Sequence, residues 1–186
     1  MTYPTSNLDY GNGVSPDAAY EPLPGATTMT KVLVIGQGNA LGLHATAGSG
    51  WVDLLAAATS SWATITNAGV GAKPPSYWTN PDGTAEFRPD IAGMSEIAGR
   101  SDLEELIIGL RPHVCIISYG VQAELYGPGL PPLIATIKAS ETCRRYNVRP
   151  IINTPYHIET YTSAEADKLR WMANQYRLRG FAMLNW

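Results

Sequence analysis

From Lys31 onward, short apolar runs alternate with longer amphipathic segments. Five runs of β-branched and other apolar residues lie at 31–35, 63–66, 113–117, 150–153 and 181–184. They show little alternation between apolar and polar positions, which is typical of parallel strands that are covered by helices on both faces. The runs therefore predict five strands of a parallel sheet.

Four segments between these runs carry signals of helices. Residues 49–59 place an apolar stripe on one side of a helix, which predicts that the stripe packs on the sheet: Trp51, Leu54, Leu55 and Ala58. Proline is tolerated in a first helical turn, so Pro131 and Pro132 predict the start of another helix.

The pairs Ser101/Glu104 and Thr162/Glu165 match the capping box, in which the first residue accepts a backbone hydrogen bond and the second returns one. Each pair predicts a helix start. The inward positions of the two helices are then Leu103, Leu106, Ile107 and Leu110 in the first, and Leu169, Met172, Ala173 and Tyr176 in the second.

Strands that alternate with helices predict an α/β fold, here a three-layer α/β/α domain over residues 31–186 with right-handed crossovers. Residues 67–99 are irregular and rich in Gly and Pro, and they follow the second strand. We expect them over the carboxyl edge of the sheet, where such folds bind ligands.

Residues 1–30 show neither the hydrophobic period of a helix nor the alternation of a strand. Prolines, glycines and three tyrosines (Tyr3, Tyr10 and Tyr20) are scattered through them. Two interpretations stay open. One is a flexible tail. The other is an extended arm whose tyrosines dock on a partner protein or on another copy of the chain, since Tyr offers a large contact area at low entropic cost.

Composition narrows the class of protein. The 186 residues suit one domain, with 45% hydrophobic and only 16% charged residues. A net charge of −3 argues against a nucleic-acid partner. No run reaches the roughly 18 apolar residues of a membrane span, and we expect no secretory signal and leave the location open. Cys115 and Cys143 are expected to be buried thiols, and no spacing predicts a metal or a cofactor.

The turn that leaves the first run carries the most specific motif: Gly36-Gln37-Gly38-Asn39-Ala40-Leu41-Gly42. It resembles the first block of the SGNH/GDSL hydrolases, in particular the branch with Gly-Gln-Ser-Asn-Ala-x-Gly, which includes carbohydrate O-acetylesterases. Five of the six fixed positions match. The sixth is the serine nucleophile of those enzymes, and Gly38 stands there.

Later segments extend the resemblance. Residues 67–71 resemble the second block, whose glycine N–H serves the oxyanion hole, and either Gly69 or Gly71 fits that role. In the third block Gln122 replaces the oxyanion-hole asparagine. The last block, Asp-x-x-His, is absent before Trp186. The resemblance implies a flavodoxin-like strand order 2-1-3-4-5, with a binding crevice at Gln37, Gly38, Asn39, Gly69, Gly71 and Gln122.

Ester hydrolysis in this family needs a hydroxyl, an imidazole to take its proton, a carboxylate to orient the imidazole, and donors for the oxyanion. Gly38 supplies no hydroxyl. Among the histidines, His44 and His157 follow strands at the carboxyl edge and are weak candidates for a base, whereas His113 begins a strand at the other edge and is expected to be structural.

The leading hypothesis is therefore a pseudoenzyme: an SGNH-like domain kept for assembly or binding, as in phage virion proteins that carry domains of this superfamily. A second hypothesis is a carbohydrate esterase with a non-standard or partner-completed site. A third is a glycan-binding module, with stacking faces from Tyr77, Trp78 and Tyr119.

Overall fold

The computed structural model describes residues 29–36, 40, 46–70, 101–119, 130–153 and 162–184. Strands and helices alternate through these residues. In chain order they are β1 (Thr30–Gly36), α1 (Trp51–Thr59), β2 (Ala63–Asn67), α2 (Asp102–Leu110), β3 (Val114–Ser118), α3 (Leu130–Arg145), β4 (Arg149–Asn153), α4 (Ser163–Leu178) and β5 (Ala182–Leu184). All five predicted strands are present, with ends that differ from the sequence pattern by one residue.

The five strands form one sheet in the order β2-β1-β3-β4-β5, and every pair is parallel. This confirms the strand order that the sequence motifs implied. Because all strands point the same way, their carboxyl ends meet at one edge of the sheet. Along that edge the register aligns Val34 with Asn67, and Gly36 with Ser118.

Helices cover both faces, as expected of a three-layer fold. One face of the sheet packs on α2, α3 and α4 through the larger buried cluster, which includes Leu33, Ile35, Cys115, Ile117 and Ile152. The opposite face packs on α1 through Val32, Val34, Ile116 and Val52. Alternate residues of each strand thus enter different cores, as the pleat requires.

Both predicted capping boxes are present. In α2 the backbone N–H of Glu104 donates to the Ser101 hydroxyl at 3.3 Å, and the Ser101 N–H donates to the Glu104 carboxylate at 3.0 Å. In α4 the corresponding distances between Thr162 and Glu165 are 3.4 and 2.7 Å. The inward positions of the two helices also agree with the sequence pattern, since Leu103, Leu106, Leu169 and Met172 are buried.

Helix α1 corrects one prediction. The expected inward stripe included Leu54 and Ala58, yet both are exposed, and Val52 and Thr59 are buried instead. The helix is apolar on nearly every side, with Asp53 its one charged residue. Because this helix has no polar face, its hydrophobic pattern does not indicate which side is buried. Packing on the sheet determines the orientation of the helix instead.

The two cysteines are free and buried, as predicted. Burial raises the pKa of the Cys115 thiol well above its usual value, and the neighbouring Cys143 raises it further. The Cys115 thiol therefore stays protonated inside the larger core. Within the part of the chain that the structure describes, no helix combines the length and apolarity that a membrane span requires.

Candidate functional site

The candidate site lies where the direction of strand order reverses. Strand β1 has β2 on one side and β3 on the other, so the chain leaves β1 toward one half of the sheet and later enters the other half. In open α/β sheets such a switch point opens a crevice at the carboxyl edge, and ligands bind there. Gly36 of β1 and Ser118 of β3 are paired at this point.

Gly36 allows an unusually close approach of two backbones. Its φ is +158°, and a Cβ added there would overlap the carbonyl oxygen of Ser118 and come within 3.1 Å of the Ala40 side chain. Only glycine fits between these groups. Gly36, the first residue of the turn, is therefore packed directly against β3. Ala40 lies beside Gly36.

Asn67, at the end of β2, joins two backbone segments of the site. Its side-chain Nδ2 donates to the Ala40 carbonyl at 2.7 Å, and its Oδ1 accepts the Gly69 N–H at 3.0 Å. The side-chain amide of Asn67 thus donates one hydrogen bond and accepts another, and the two bonds go to different backbone segments. We call this arrangement the Asn67 clamp.

The segment after β2 continues alongside β1. Ala68 N–H donates to the Val34 carbonyl at 2.8 Å, and Val70 N–H donates to the Gly36 carbonyl at 3.0 Å. These two bonds hold the backbone of residues 68–70 against the carboxyl end of β1.

A buried polar pair forms the floor of the crevice beyond Gly36. Asn153 ends β4, and its Nδ2 donates to the Ser118 hydroxyl at 3.0 Å. Both side chains are almost fully buried, at 2% and 1% exposed. Buried polar side chains are stable when they are hydrogen-bonded, so this pair ties β3 to β4 without opening the edge to water.

Of the predicted binding residues, the structure describes Gly69. Its N–H donates to Asn67 Oδ1 at 3.0 Å. The remaining candidates lie outside the described residues: Gln37, Gly38, Asn39, Gly71 and Gln122, together with His44 and His157.

His113 lies at the opposite edge of the sheet, as the sequence predicted. The imidazole Nδ1 of His113 accepts the backbone N–H of Lys31 at 2.9 Å, and the backbone N–H of His113 donates to the Lys31 carbonyl at 2.8 Å. The imidazole thus replaces a backbone acceptor at the start of β1. This is a structural role.

Tyr119 does not fit the role that the glycan-binding hypothesis gave it. The residue is 2% exposed, so its ring offers no stacking face. Burial raises the pKa of its phenol well above the usual value, and the neighbouring Cys115, Cys143 and Tyr176 add to that rise. Tyr119 therefore belongs to the core beneath the crevice, and that prediction was wrong.

Across the described ranges, no group of three or more His, Cys, Asp or Glu side chains could hold a metal ion. The described part of the carboxyl edge instead carries neutral polar groups: the Asn67 amide, the Ser118 hydroxyl and the Asn153 amide. Such groups position backbone and bind by hydrogen bonds.

No protein-family model matches the chain. No curated protein matches it. Solved structures do: TesA, at a TM-score of 0.58 and 14% identity, over 83% of this chain and 77% of that one; the psychrotrophic esterase EstA from Pseudoalteromonas sp., at 0.57 and 13%, over 84% and 77%; and a member of the lipolytic protein G-D-S-L family from Veillonella parvula DSM 2008, at 0.55 and 14%, over 84% and 77%.

The chain has the SGNH/GDSL hydrolase fold. At 13 to 14% identity the likeness concerns the fold alone. The SGNH fold explains why the Gly36 turn, the loop after β2 and the end of β3 converge, because this fold brings those three carboxyl ends to one crevice.

Proposed function

We propose that this chain is an SGNH-fold domain that no longer hydrolyses esters and serves in binding or structural assembly. The observation that carries the proposal is the placement of Gly36. This residue begins the turn at the switch point, two positions before the place of the family's nucleophile, and the residue at that place is Gly38. Glycine has no group that can attack an acyl carbon.

The described neighbours offer no ready replacement for the missing hydroxyl. Ser118 lies at the crevice, but its Oγ is 3.0 Å from the Asn153 amide and its side chain is 1% exposed. A nucleophile must reach the substrate carbonyl and have a base within hydrogen-bond distance. Ser118 therefore supports the crevice as a structural residue.

The Asn67 clamp supports retention of the scaffold. It holds the backbones of Ala40 and Gly69 together beside β1, although the residue at the nucleophile place is Gly38. An ordered scaffold around a site without its nucleophile is consistent with a domain that functions by binding or assembly through its surface. Assembly of a multi-chain particle, for which a phage virion is one setting, fits this proposal by analogy with virion domains of the superfamily.

The proposal predicts no turnover of p-nitrophenyl acetate or acetylated sugars above the rate of free imidazole at equal concentration. The Gly38→Ser variant should also stay near this background. Removing one member of a catalytic unit costs about a millionfold in kcat, and the one histidine among the described residues, His113, lies at the opposite edge of the sheet, so a serine alone should restore little.

Turnover by the unaltered chain that is lost in His44→Ala or in His157→Ala, but kept in a variant of a surface residue such as Leu178→Lys, would overturn the proposal. Each variant is first checked for its fold by circular dichroism, so that a loss of rate is not a loss of structure.

A further inference from the structure

The last quarter of the chain carries a charge opposite to that of the rest. Residues 138–186 contain eight Lys or Arg and four Asp or Glu, whereas residues 1–137 contain five and twelve. The net charge of −3 therefore conceals a basic part with a charge of +4 and an acidic part with a charge of −7. Such an asymmetry favours contacts between the two parts, because opposite charges steer surfaces together.

Three exposed arginines of the basic part lie at the amino edge of β4 and β5. Arg149 is the first residue of β4, and Arg177 and Arg179 lie at the end of α4, directly before β5. The register pairs Ile151 with Ala182, and the arginines precede these two residues by two and three positions. They therefore stand before neighbouring strands at one edge of the sheet. We call Arg149, Arg177 and Arg179 the arginine edge.

The end of α4 carries more positive charge than the helix itself needs. The dipole of a helix offsets about half a positive charge at its carboxyl end, whereas Arg177 and Arg179 bring two. The Arg179 guanidinium donates to the backbone carbonyl of Gln175 at 3.0 Å and to its side-chain oxygen at 2.6 Å, and both acceptors are uncharged. A surplus of roughly 1.5 positive charges therefore stays exposed at this end of α4.

A fourth arginine adjoins the arginine edge. Arg144 lies in the last turn of α3, and its guanidinium carbon is 5.1 Å from the centre of the Phe181 ring, directly before β5. Tyr176 packs on the same ring edge to face, with 6.2 Å between the ring centres. Arginine is thus already stacked on an aromatic ring at this edge, which is a contact that guanidinium groups favour.

Residues 1–28 have the opposite character, and we call them the acidic segment. They contain three carboxylates, Asp9, Asp17 and Glu21, and no Lys, Arg or His. Asp9 and Glu21 each adjoin a tyrosine, Tyr10 and Tyr20. A guanidinium binds a carboxylate through two parallel hydrogen bonds and stacks on aromatic rings. The acidic segment therefore carries both of the groups that arginine binds well.

The length of the acidic segment allows it to reach another molecule. It leads into β1 at Thr30, and β1 lies two strands from β4, which is about 10 Å. Twenty-eight residues span up to about 90 Å when extended. The segment is therefore much longer than the path to the arginine edge of its own sheet, and it can extend to that of a neighbour.

We propose that the acidic segment of one molecule docks on the arginine edge of a second copy of this chain. A second copy is the occupant because the chain itself supplies the complementary charge with tyrosines beside it. The contact joins two different surfaces, so it links molecules head to tail and allows more than two to assemble. The inference rests on the proposed function in assembly and names the two surfaces that would make the contact.

The mass of the full chain in solution tests the contact, by sedimentation velocity and light scattering over a series of concentrations. At low salt we expect species of twice the 20.0 kDa of one chain and larger. Raising the salt from about 0.1 to 1 M shortens the Debye length from about 10 to 3 Å, so the average mass should fall toward that of one chain.

Two variants each reverse the charge of one surface. R177E/R179E makes the arginine edge acidic, and D17K/E21K makes the acidic segment basic. Either change should raise the dissociation constant about tenfold, because attraction becomes repulsion. An equimolar mixture of the two variants should recover association, because the introduced lysines of one chain meet the introduced glutamates of the other.

The variant K138E/K168E is the matched control. It changes the net charge by the same amount as R177E/R179E, and both lysines are exposed, in the middle of α3 and in the first half of α4. It should leave association unchanged. Circular dichroism checks that all variants remain folded.

A mass of one chain at every concentration in low salt would overturn the inference, and this is also the result if the acidic segment folds back on its own sheet. So would association that R177E/R179E weakens no more than K138E/K168E does, or a mixture that fails to recover it. Ester turnover is measured separately, so a failure of the proposed function is distinguishable from a failure of this contact.

Discussion

Gly36 is the residue whose replacement should be most damaging. Gly36→Ala adds a Cβ that meets the Ser118 carbonyl and also puts an alanine at a φ of +158°. Overpacking and an unfavourable backbone angle each cost about 1–3 kcal/mol, so we expect a loss of about 3 kcal/mol in the free energy of unfolding, measured by urea denaturation. Gly180→Ala is the control, since Gly180 has a φ of +67° but open space around it. Equal losses in the two variants would contradict the close approach.

Two variants should separate the bonds of the Asn67 clamp. Asn67→Asp keeps an acceptor for the Gly69 N–H but loses the donor to the Ala40 carbonyl, whereas Asn67→Ala loses both bonds. We expect losses of about 1 and 2 kcal/mol respectively. Hydrogen exchange at the Gly69 amide should accelerate in Asn67→Ala alone. Equal acceleration in both variants would contradict the bond to Oδ1.

The sequence indicated residues 67–71 through their glycines and gave no sign of what the Asn67 side chain does. Its bond to Ala40 joins residues 27 positions apart, so it exists only once β1 and β2 are paired. The motif left the oxyanion donor open between Gly69 and Gly71, because it specifies the residue type alone. The N–H direction of a glycine depends on local φ and ψ, which a motif does not specify.

Among the elements, α2 should show a measurable pH dependence through Glu104. Burial alone would raise the pKa of this carboxyl, but hydrogen bonds from the Ser101 backbone, Tyr146 and the Ser101 hydroxyl, with the charge of Arg145, hold it below the usual range. A lowered pKa in the folded state stabilises the protein above the unfolded value, about 4.3, and this contribution is lost as the pH falls through the folded value.

Glu104→Gln, which keeps an acceptor but cannot ionise, should therefore be less stable than the parent chain at pH 7. The difference should shrink as the pH falls from about 5 to 3. Urea unfolding at several pH values measures it. Glu141, an exposed glutamate of α3, provides the control as Glu141→Gln, which should show little change. A difference that is independent of pH would show that the charge of Glu104 does not matter.

Helix starts were predicted correctly where a short sequence motif had one structural interpretation. A capping box at Ser101 or Thr162 depends on residues three positions apart, and both helices begin where the boxes indicate. In α1, Trp51 and Leu55 pack against the smaller core as predicted, whereas Leu54 and Ala58 do not, because nearly every residue of this helix is apolar. A helix without a polar side takes its orientation from the sheet.

At the scale of the whole molecule, strand order followed from the motifs after β1, β2 and β3, since each motif has a fixed place in the fold. The hydrogen bonds at the crevice could not be predicted from these motifs. Polar contacts such as Asn153 with Ser118 depend on register between strands 35 residues apart, and local sequence does not specify that register.

The first 28 residues should contribute to assembly and little to folding. The deletion ends before Thr30, because Thr30 pairs with Ala63 in β1. We predict that deletion of residues 1–28 changes the free energy of unfolding by less than about 1 kcal/mol, the range for changes outside a core. The deletion should reduce association with a partner or with other copies of the chain, measured by light scattering. A deleted chain that unfolds would place part of the core before residue 29.

The order of strands has a consequence for how the molecule is made. β1 and β2 are the first of the five strands to leave the ribosome, and the sheet then grows in one direction only, as β3 adds to the free side of β1, β4 to β3 and β5 to β4. About 80 residues separate the end of β1 from β3, which at ordinary rates of synthesis is a delay of roughly 4–16 s. During that interval β1 has one unprotected side. The nascent chain should therefore need a chaperone most between the synthesis of β2 and that of β3.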